Sequence, residues 1–421
     1  MSSNWRETTW GDEISLEYGK GIRGYQNAIA SVPVFGTNGQ VGWTEEPLAQ
    51  GPGIILGRKG AYRGIHFSKK PFFVIDTAYY VKPKSALDMR WLYYSMIHHQ
   101  LGSIDDGSPI PSTTRAAVYV RKFKVPGDDT QRAIAKILGD LDDKIDLLRE
   151  INRTLEEIAR AVFLAWFVDF EPVRAKAAGA TGFRGMPQAL FDELPDSFTP
   201  SGLGDIPAGW TVEPIGSLAD CVGGGTPSTK NPVFWSDGTH PFCTPKDMSR
   251  LPSVALWDTE RHLTDAGVDK ISSGALPVGT VLLSSRAPIG YIAINYRPVS
   301  INQGIIGMKP TILPAEYLRF WLEENMETIK SNAGGTTFAE ISKSKFRPIL
   351  ALRPCAEALA AYSKLAQNNL ERVAANELEI QTLADLRDTL LPKLISGELS
   401  VPDLDALGLT PDAEMEASDG G

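Results

Sequence analysis

The residue types that most often carry catalysis are few in this chain and poorly spaced for it. Five histidines (His66, His98, His99, His240 and His262) include no HExxH pair. His98 and His99 are neighbours on a predicted helix, point different ways and read as solvated surface. Three cysteines (Cys221, Cys243 and Cys355) contain no CxxC, so neither a disulfide framework nor a zinc site is expected. A nuclease centre built on an ExK or DxK step is not legible either: the one DxK is Asp142-Asp143-Lys144, on an acidic helix whose solvated face explains it. No GxxxxGK[ST] phosphate loop occurs. Asn231-Pro232-Val233-Phe234 approaches the Asn-Pro-Pro-aromatic turn of amino-methyltransferases but lacks its second proline and any glycine-rich cofactor loop. No catalytic residue and no metal-ligand set is assigned.

What the residues do suit is recognition of a polyanion. Arg58, Lys59 and Arg63 flank Gly57 and Gly60, and Arg286 stands beside Pro288 and Gly290. Glycine lets backbone approach phosphate, and arginine can grip a guanine edge with two hydrogen bonds. Asn38, Asn302 and Gln303 are of the types that read adenine. Thr77, Ser108, Arg115, Thr226, Ser228, Lys230, Lys246, Thr336 and Lys343 complete the candidate DNA-binding set.

These residues recur. Gly53-Ile54-Ile55-Leu56 returns as Gly279-Thr280-Val281-Leu282, and the same shift carries Ala61 onto Ala287, Gly64 onto Gly290 and Asp76 onto Asn302. A closely similar shift takes Gly107-Ser108 to Gly335-Thr336, Arg115 to Lys343 and Pro126 to Pro354, and Trp10 pairs with Trp210. Each copy reads as mixed α and β, with β-rich runs at 53–60 and 279–294 and short helices at 89–100 and 315–329.

A long helix follows each copy. Leu138, Leu141, Ile145, Leu148, Asn152, Leu155, Ala159, Val162 and Trp166 step by three and four, as a coiled-coil seam does. The equivalent positions of the second helix are Ala366, Asn369, Val373, Asn376, Ile380, Leu383, Arg387, Leu390 and Leu394. Leu141, Ile145, Leu148, Asn152 and Leu155 are expected to pair with Val373, Ile380, Leu383 and Leu390. Pairing within the chain, antiparallel and pseudo-twofold, is expected over a homodimeric coil because the two helices follow equivalent copies. The fold class is α+β: two tandem mixed α/β domains, each followed by a long helix. The boundaries are 1–126 for the first domain, 127–172 for its helix, 173–206 for an extended linker, 207–354 for the second domain, 355–396 for its helix and 397–421 for an acidic tail.

The net charge of −9 over 421 residues hides this division. Residues 1–125 carry +5 and 207–354 carry +1, whereas 126–175 carry −4 and 355–421 carry −9. Phosphate is met only where Lys and Arg lie, so the mean charge does not exclude DNA. With no apolar stretch long enough for export or for spanning a bilayer, a cytoplasmic location is expected.

The ordered motifs resemble the specificity subunit of type I restriction-modification enzymes over nearly the whole length. Gly224-Gly225-Thr226-Pro227-Ser228-Thr229-Lys230-Asn231-Pro232 with Phe234-Trp235 is similar to the start of that family's target recognition domains. SSRAPIGYIAI (284–294), SINQGIIG (300–307), GRKGAYRGI (57–65) and DTAYYV (76–81) are similar to later strands. AVFLAWFVDFEPVR (161–174) and RDTLLPKLISGEL (387–399) resemble the ends of its two helical regions. The resemblance implies a non-catalytic chain that reads a bipartite double-stranded DNA target and directs adenine methylation or restriction. It implies two modification subunits and two restriction subunits as partners, with S-adenosylmethionine, Mg and ATP on them and no cofactor on this chain. The alternatives are a self-contained DNA methyltransferase or nuclease, and a coiled-coil scaffold without a DNA role.

Overall fold

The computed structural model describes residues 5–27, 29–105, 107, 111–335 and 339–400. They form two compact units, one running up to Ile145 and resuming at Thr382, the other spanning Asp146–Gln381. Both boundaries cut a long helix. Each unit therefore holds one globular copy, the first half of that copy's own helix and the last half of the other.

The first unit begins β1 (Arg6–Thr9), α1 (Trp10–Glu13), β2 (Ile14–Tyr18), β3 (Val32–Gly36) and β4 (Gly39–Thr44). It continues β5 (Gly53–Gly57), β6 (Ile65–Ser68), β7 (Phe73–Val74), β8 (Ala78–Pro83), α2 (Met89–His98), α3 (Arg115–Tyr119) and β9 (Lys122–Val125), then enters α4 (Asp128–Phe167). The strands make a four-stranded sheet ordered β2-β8-β5-β6, a three-stranded sheet β4-β3-β7 and the pair β1-β9. Its core gathers Trp10, Leu16, Ile54, Leu56, Trp91 and Phe123 with Ile134 and Leu138 of α4. The glycine that interrupts α4, Gly139, makes room for a side chain. A Cβ there would come within 2.7 Å of Arg90 Nε, and Arg90 donates to Gly139 O at 2.9 Å.

After the last half of α4, the second unit continues with α5 (Glu171–Ala177), α6 (Gln188–Glu193) and the hairpin β10 (Phe198–Ser201) and β11 (Gly204–Pro207). Next come β12 (Thr211–Pro214), α7 (Ile215–Leu218), β13 (Ala219–Gly223), β14 (His240–Cys243), α8 (Pro245–Met248), β15 (Ala255–Leu256), β16 (Arg261–Leu263) and α9 (Asp265–Val268). Then follow β17 (Val281–Ser284), β18 (Ile292–Asn295), β19 (Ser300–Ile301) and β20 (Ile305–Pro310). The unit closes with α10 (Ala315–Glu324), α11 (Met326–Ser331), α12 (Lys343–Phe346), β21 (Leu350–Arg353) and α13 (Ala356–Ser396). Sheets β13-β20-β17-β18-β15, β16-β14-β19 and β12-β21 repeat the first copy strand for strand, with β15 added at one edge.

This match corrects two sequence expectations. Trp210 stands one residue before β12, as Trp5 stands before β1, so its counterpart is Trp5 and not Trp10. Residues 173–206 are also not merely extended. Lys176 Nζ donates to the carbonyls of Phe191, Asp192 and Leu194 at 3.1, 2.6 and 2.5 Å, which closes the C-terminal end of α6. Leu190 and Phe191 are buried.

The long helices meet seam to seam. In the second unit Asn376 Nδ2 donates to Asn152 Oδ1 at 2.7 Å, Asn369 Nδ2 to Leu155 O at 3.3 Å and Tyr362 OH to Ala159 O at 3.4 Å. One number rises as the other falls, so the pairing is antiparallel. In the first unit Arg387 reaches Asp142 Oδ1 at 2.7 Å in the same sense. Ile145, Leu148, Asn152, Val373, Ile380 and Leu390 are buried, and Leu141, Leu155 and Leu383 are half-buried. Asn376 donates to Asn152 across the seam and Asn152 Nδ2 donates to Glu377 Oε1 at 2.8 Å, while Asn376 Oδ1 is buried with no hydrogen-bond partner among the described residues. A polar pair facing itself fixes register, because a slip would strand both amides among aliphatic side chains. Replacing Asn152 alone by Ala is expected to cost about 1–3 kcal/mol, since Asn376 loses its acceptor. Leu at both positions should be neutral or stabilising, and urea denaturation of the three proteins checks the difference.

Candidate nucleic-acid interface

In the first copy the candidate cations gather around the turn after β5. Arg58 NH1 donates to Asp76 O at 3.0 Å, its backbone N–H to Thr77 O at 3.0 Å, and Thr37 Oγ1 to Lys59 O at 2.9 Å. Arg63 does a different job from the one its type suggested. Its guanidinium donates to the carbonyls of Gly60, Gly102 and Ile104 at 2.6, 3.0 and 3.0 Å and to Thr113 Oγ1 at 3.0 Å. Those bonds frame the loop. Asn38 is exposed at the tip of the β3–β4 hairpin, Lys59 is exposed beside it, and Thr77 Oγ1 is buried with no hydrogen-bond partner among the described residues. Arg115, the first residue of α3, lies with its guanidinium carbon 4.2 Å from the Tyr18 ring centre, and that of Arg58 lies 4.9 Å from the same ring. Tyr18, and Tyr62 at 80 % exposure, escaped the sequence reading because aromatic residues in β-rich runs resemble core.

The second copy brings Arg286, Asn302 and Lys246 to one open cleft of about 430 Å³, completed by Thr244, Ser249 and Tyr291. Thr226 Oγ1 donates to Gln303 Oε1 at 2.6 Å, which joins the glycine-rich loop to the strand end carrying Asn302. Both cations have acidic neighbours: Lys246 pairs with Glu260 at 2.8 Å and Arg286 with Glu340 at 3.6 Å. Ser228 and Lys230 lie further along the loop. Ser228 O accepts from Trp235 Nε1 at 3.1 Å, and Lys230 is exposed. Arg261, not foreseen, sits 3.6 Å from the centre of the Trp235 ring. Asn231 Oδ1 accepts from Val233 N at 3.1 Å, so the Asn-Pro-Val-Phe turn is a capped helical turn. Ser108 and Thr336 lie outside the described residues.

Glycine explains the start of both loops. Gly19 and Gly224 directly follow β2 and β13, where the chain crosses a short strand of the other sheet. A Cβ would stand 2.0 Å from Ile75 O at Gly19 and 1.8 Å from Ile301 O at Gly224. No side chain fits there without moving backbone.

Charge clamps each copy to its helices. Asp143 takes Arg90 and Lys69, the latter at 2.7 Å, and Asp142 takes Tyr94 OH at 2.6 Å. The Arg90 hydrogen bonds hold the Asp143 carboxyl down at about 2. These two aspartates are therefore clamps and not a solvated face. In the second unit Arg319, only 5 % exposed, reaches Glu156 at 3.0 Å, and Arg160 reaches Glu324 at 2.7 Å. His98 and His99 are likewise not solvated: both are half-buried, and His99 lies edge-on to Trp10 and Phe123. Burial, helped by His98, lowers His99 to about 4. Burial pushes the Cys221 thiol up to about 12 and that of Cys243 higher, which suits packing and not nucleophilic chemistry. Among the described residues no His/Cys/Asp/Glu group is arranged to hold a metal, and no helix is long and apolar enough to cross a membrane.

Two copies of one fold, each presenting cationic and amide side chains from glycine-rich loops, define a duplicated recognition protein. A family model described as the type I restriction modification DNA specificity domain matches residues 24–157 and again 207–349, and the chain belongs to that family. The type I restriction enzyme HindI specificity subunit of Haemophilus influenzae is 29 % identical over 330 residues, covering 69 % of this chain and 71 % of its own. The MjaIX specificity subunit of Methanocaldococcus jannaschii is 36 % identical over 155 residues, 36 % of each chain. The crystal structure of the type I system S subunit from M. genitalium superposes with a TM-score of 0.60 at 16 % identity, covering 94 % of this chain and 96 % of that one, and so shares the fold.

Gly224→Ala is expected to lower stability by roughly 3 kcal/mol or more, because backbone must shift to admit the methyl group; calorimetry against Gly225→Ala, which has open space, isolates the effect. A histidine lowered by burial stabilises the fold above its unfolded pKa, near 6.5, and that stability is lost as pH falls. Melting temperature should therefore drop between pH 7 and 5, with His99 contributing on the order of 1–2 kcal/mol at the lower pH. His99→Phe should flatten that drop.

Proposed function

We infer that this chain is the DNA-reading subunit of a type I restriction-modification complex. Each globular copy would read one half of a bipartite double-stranded target, and the paired helices would hold the halves at a set spacing. The carrying observation is the duplication itself: one topology twice, with cationic and amide side chains on matching loops and the family model matched twice. The chain would perform no chemistry. Two modification subunits would bring S-adenosylmethionine and flip the adenine, and two restriction subunits would bring ATP and Mg; this chain would need no cofactor and would work in the cytoplasm.

The boundaries 1–126 and 207–354 would delimit the two target recognition domains. Asn38, Arg58, Lys59, Thr77 and Arg115 would face one half-site. Thr226, Lys230, Lys246, Arg286, Asn302, Gln303 and Lys343 would face the other. Random-sequence duplexes protected by the complex with its modification subunits, then sequenced, should yield two short motifs separated by unread base pairs. One contiguous motif would contradict the proposal, as would S-adenosylmethionine binding by the chain alone.

A further inference from the structure

Arg115 and Lys343 occupy the same point of the two copies. Arg115 opens α3 and Lys343 opens α12, the short helices that precede β9 and β21. Each lies against the last residue of an equivalent strand. Arg115 stands over Tyr18 at the end of β2, and Lys343 lies across Gly223 at the end of β13. A Cβ on Gly223 would come within 3.1 Å of Lys343 Cε and Nζ.

We propose that Arg115 and Lys343 are matched anchors for a DNA backbone phosphate, one in each half-site, and not readers of bases. The proposal rests on the DNA-reading function inferred above and assigns roles within it. Two readers of different sequences share only the sugar-phosphate backbone of their targets, so a cation kept at one point of both copies suits phosphate. The chemistry agrees. Guanine readout in the groove favours the fixed fork of arginine, whereas lysine is a compact point charge suited to phosphate, and one copy carries each.

Neither cation is tied down by a strong ion pair. Among the described residues Arg115 has only Glu17 at 3.9 Å as an ion-pair partner, and its Nε is buried without a hydrogen bond. Lys343 is exposed, and among the described residues it makes no ion pair. In the first copy Arg58 places a second guanidinium carbon 4.9 Å from the centre of the same ring, so two cations share one aromatic neighbour. Glu17 is then a built-in competitor for the anchor.

The test measures binding of the full chain, assembled with its modification subunits, to its own target duplex over a range of salt. A phosphate contact contributes about one unit to the slope of log K against log salt. Arg115→Ala and Lys343→Ala should each reduce the slope by about one and weaken binding several-fold, with the selected half-site bases unchanged. Arg115→Lys should restore the slope, and Glu17→Gln should tighten binding. Arg132→Ala, on α4 and paired with Asp129, is the control that should change nothing. Unaltered slopes in both alanine variants, with melting curves intact, would overturn the anchors. So would a changed base preference at one target position, the mark of a base reader. Failure of the unsubstituted complex to bind any duplex specifically would instead overturn the underlying function, and the anchors with it.

Discussion

Two long helices that bury their apolar stripes against each other and in the cores of the globular copies are the constraint on which the rest of this structure depends. Neither α4 nor α13 could stand as an isolated helix with its seam in water, because helical stability in proteins comes mainly from packing an amphipathic face. Antiparallel pairing brings the end of each helix beside the start of the other. The aromatic end of α4 (Phe163, Trp166 and Phe167) accordingly enters the core of the second unit, with Trp210, Tyr317 and Tyr362. The aliphatic end of α13 (Leu390, Leu391, Leu394 and Ile395) enters the core of the first. Neither globular copy closes its core with its own helix alone.

The division of charge follows from the same arrangement. Carboxylates on the helices are spent on arginines and a tyrosine of the globular copies, as Asp142, Asp143 and Glu156 show. Lys59, Lys230 and Lys343, on loops and a helix start, are exposed. A chain of net charge −9 can thus present a first copy of +5 for DNA while Asp142 and Asp143 of its acidic helix help to hold that copy in place.

The helical framework and the duplication were legible in the sequence because both are periodic signals. Every seam position from Leu138 to Trp166 and from Ala366 to Leu394 is buried or half-buried. Single-residue matches served less well: Trp10 stacks on Phe123 at 3.9 Å inside the first core, whereas Trp210 packs against Phe167 and Phe170, so shared rarity misled the pairing. Glycine and proline content hid the structure of 173–206, where one lysine closing a helix end compensates for poor local propensity. The recognition loops were legible as segments but not as roles. Residue type could not distinguish Arg63, bound to three carbonyls, from Arg115, stacked on a ring, because most of those partners, Gly102, Ile104 and Tyr18, are distant in sequence.

The central claim is that the paired helices set the separation of the half-sites. The most direct measurement is the target selected by a complex in which one heptad has been inserted at facing points of both helices, after Glu150 and after Leu378. Seven residues add about 10 Å of helix, or about three base pairs of duplex at 3.4 Å each. The account predicts the same two half-site motifs with a longer gap between them. Half-sites retained at the original spacing, in a complex that still folds and binds, would contradict it.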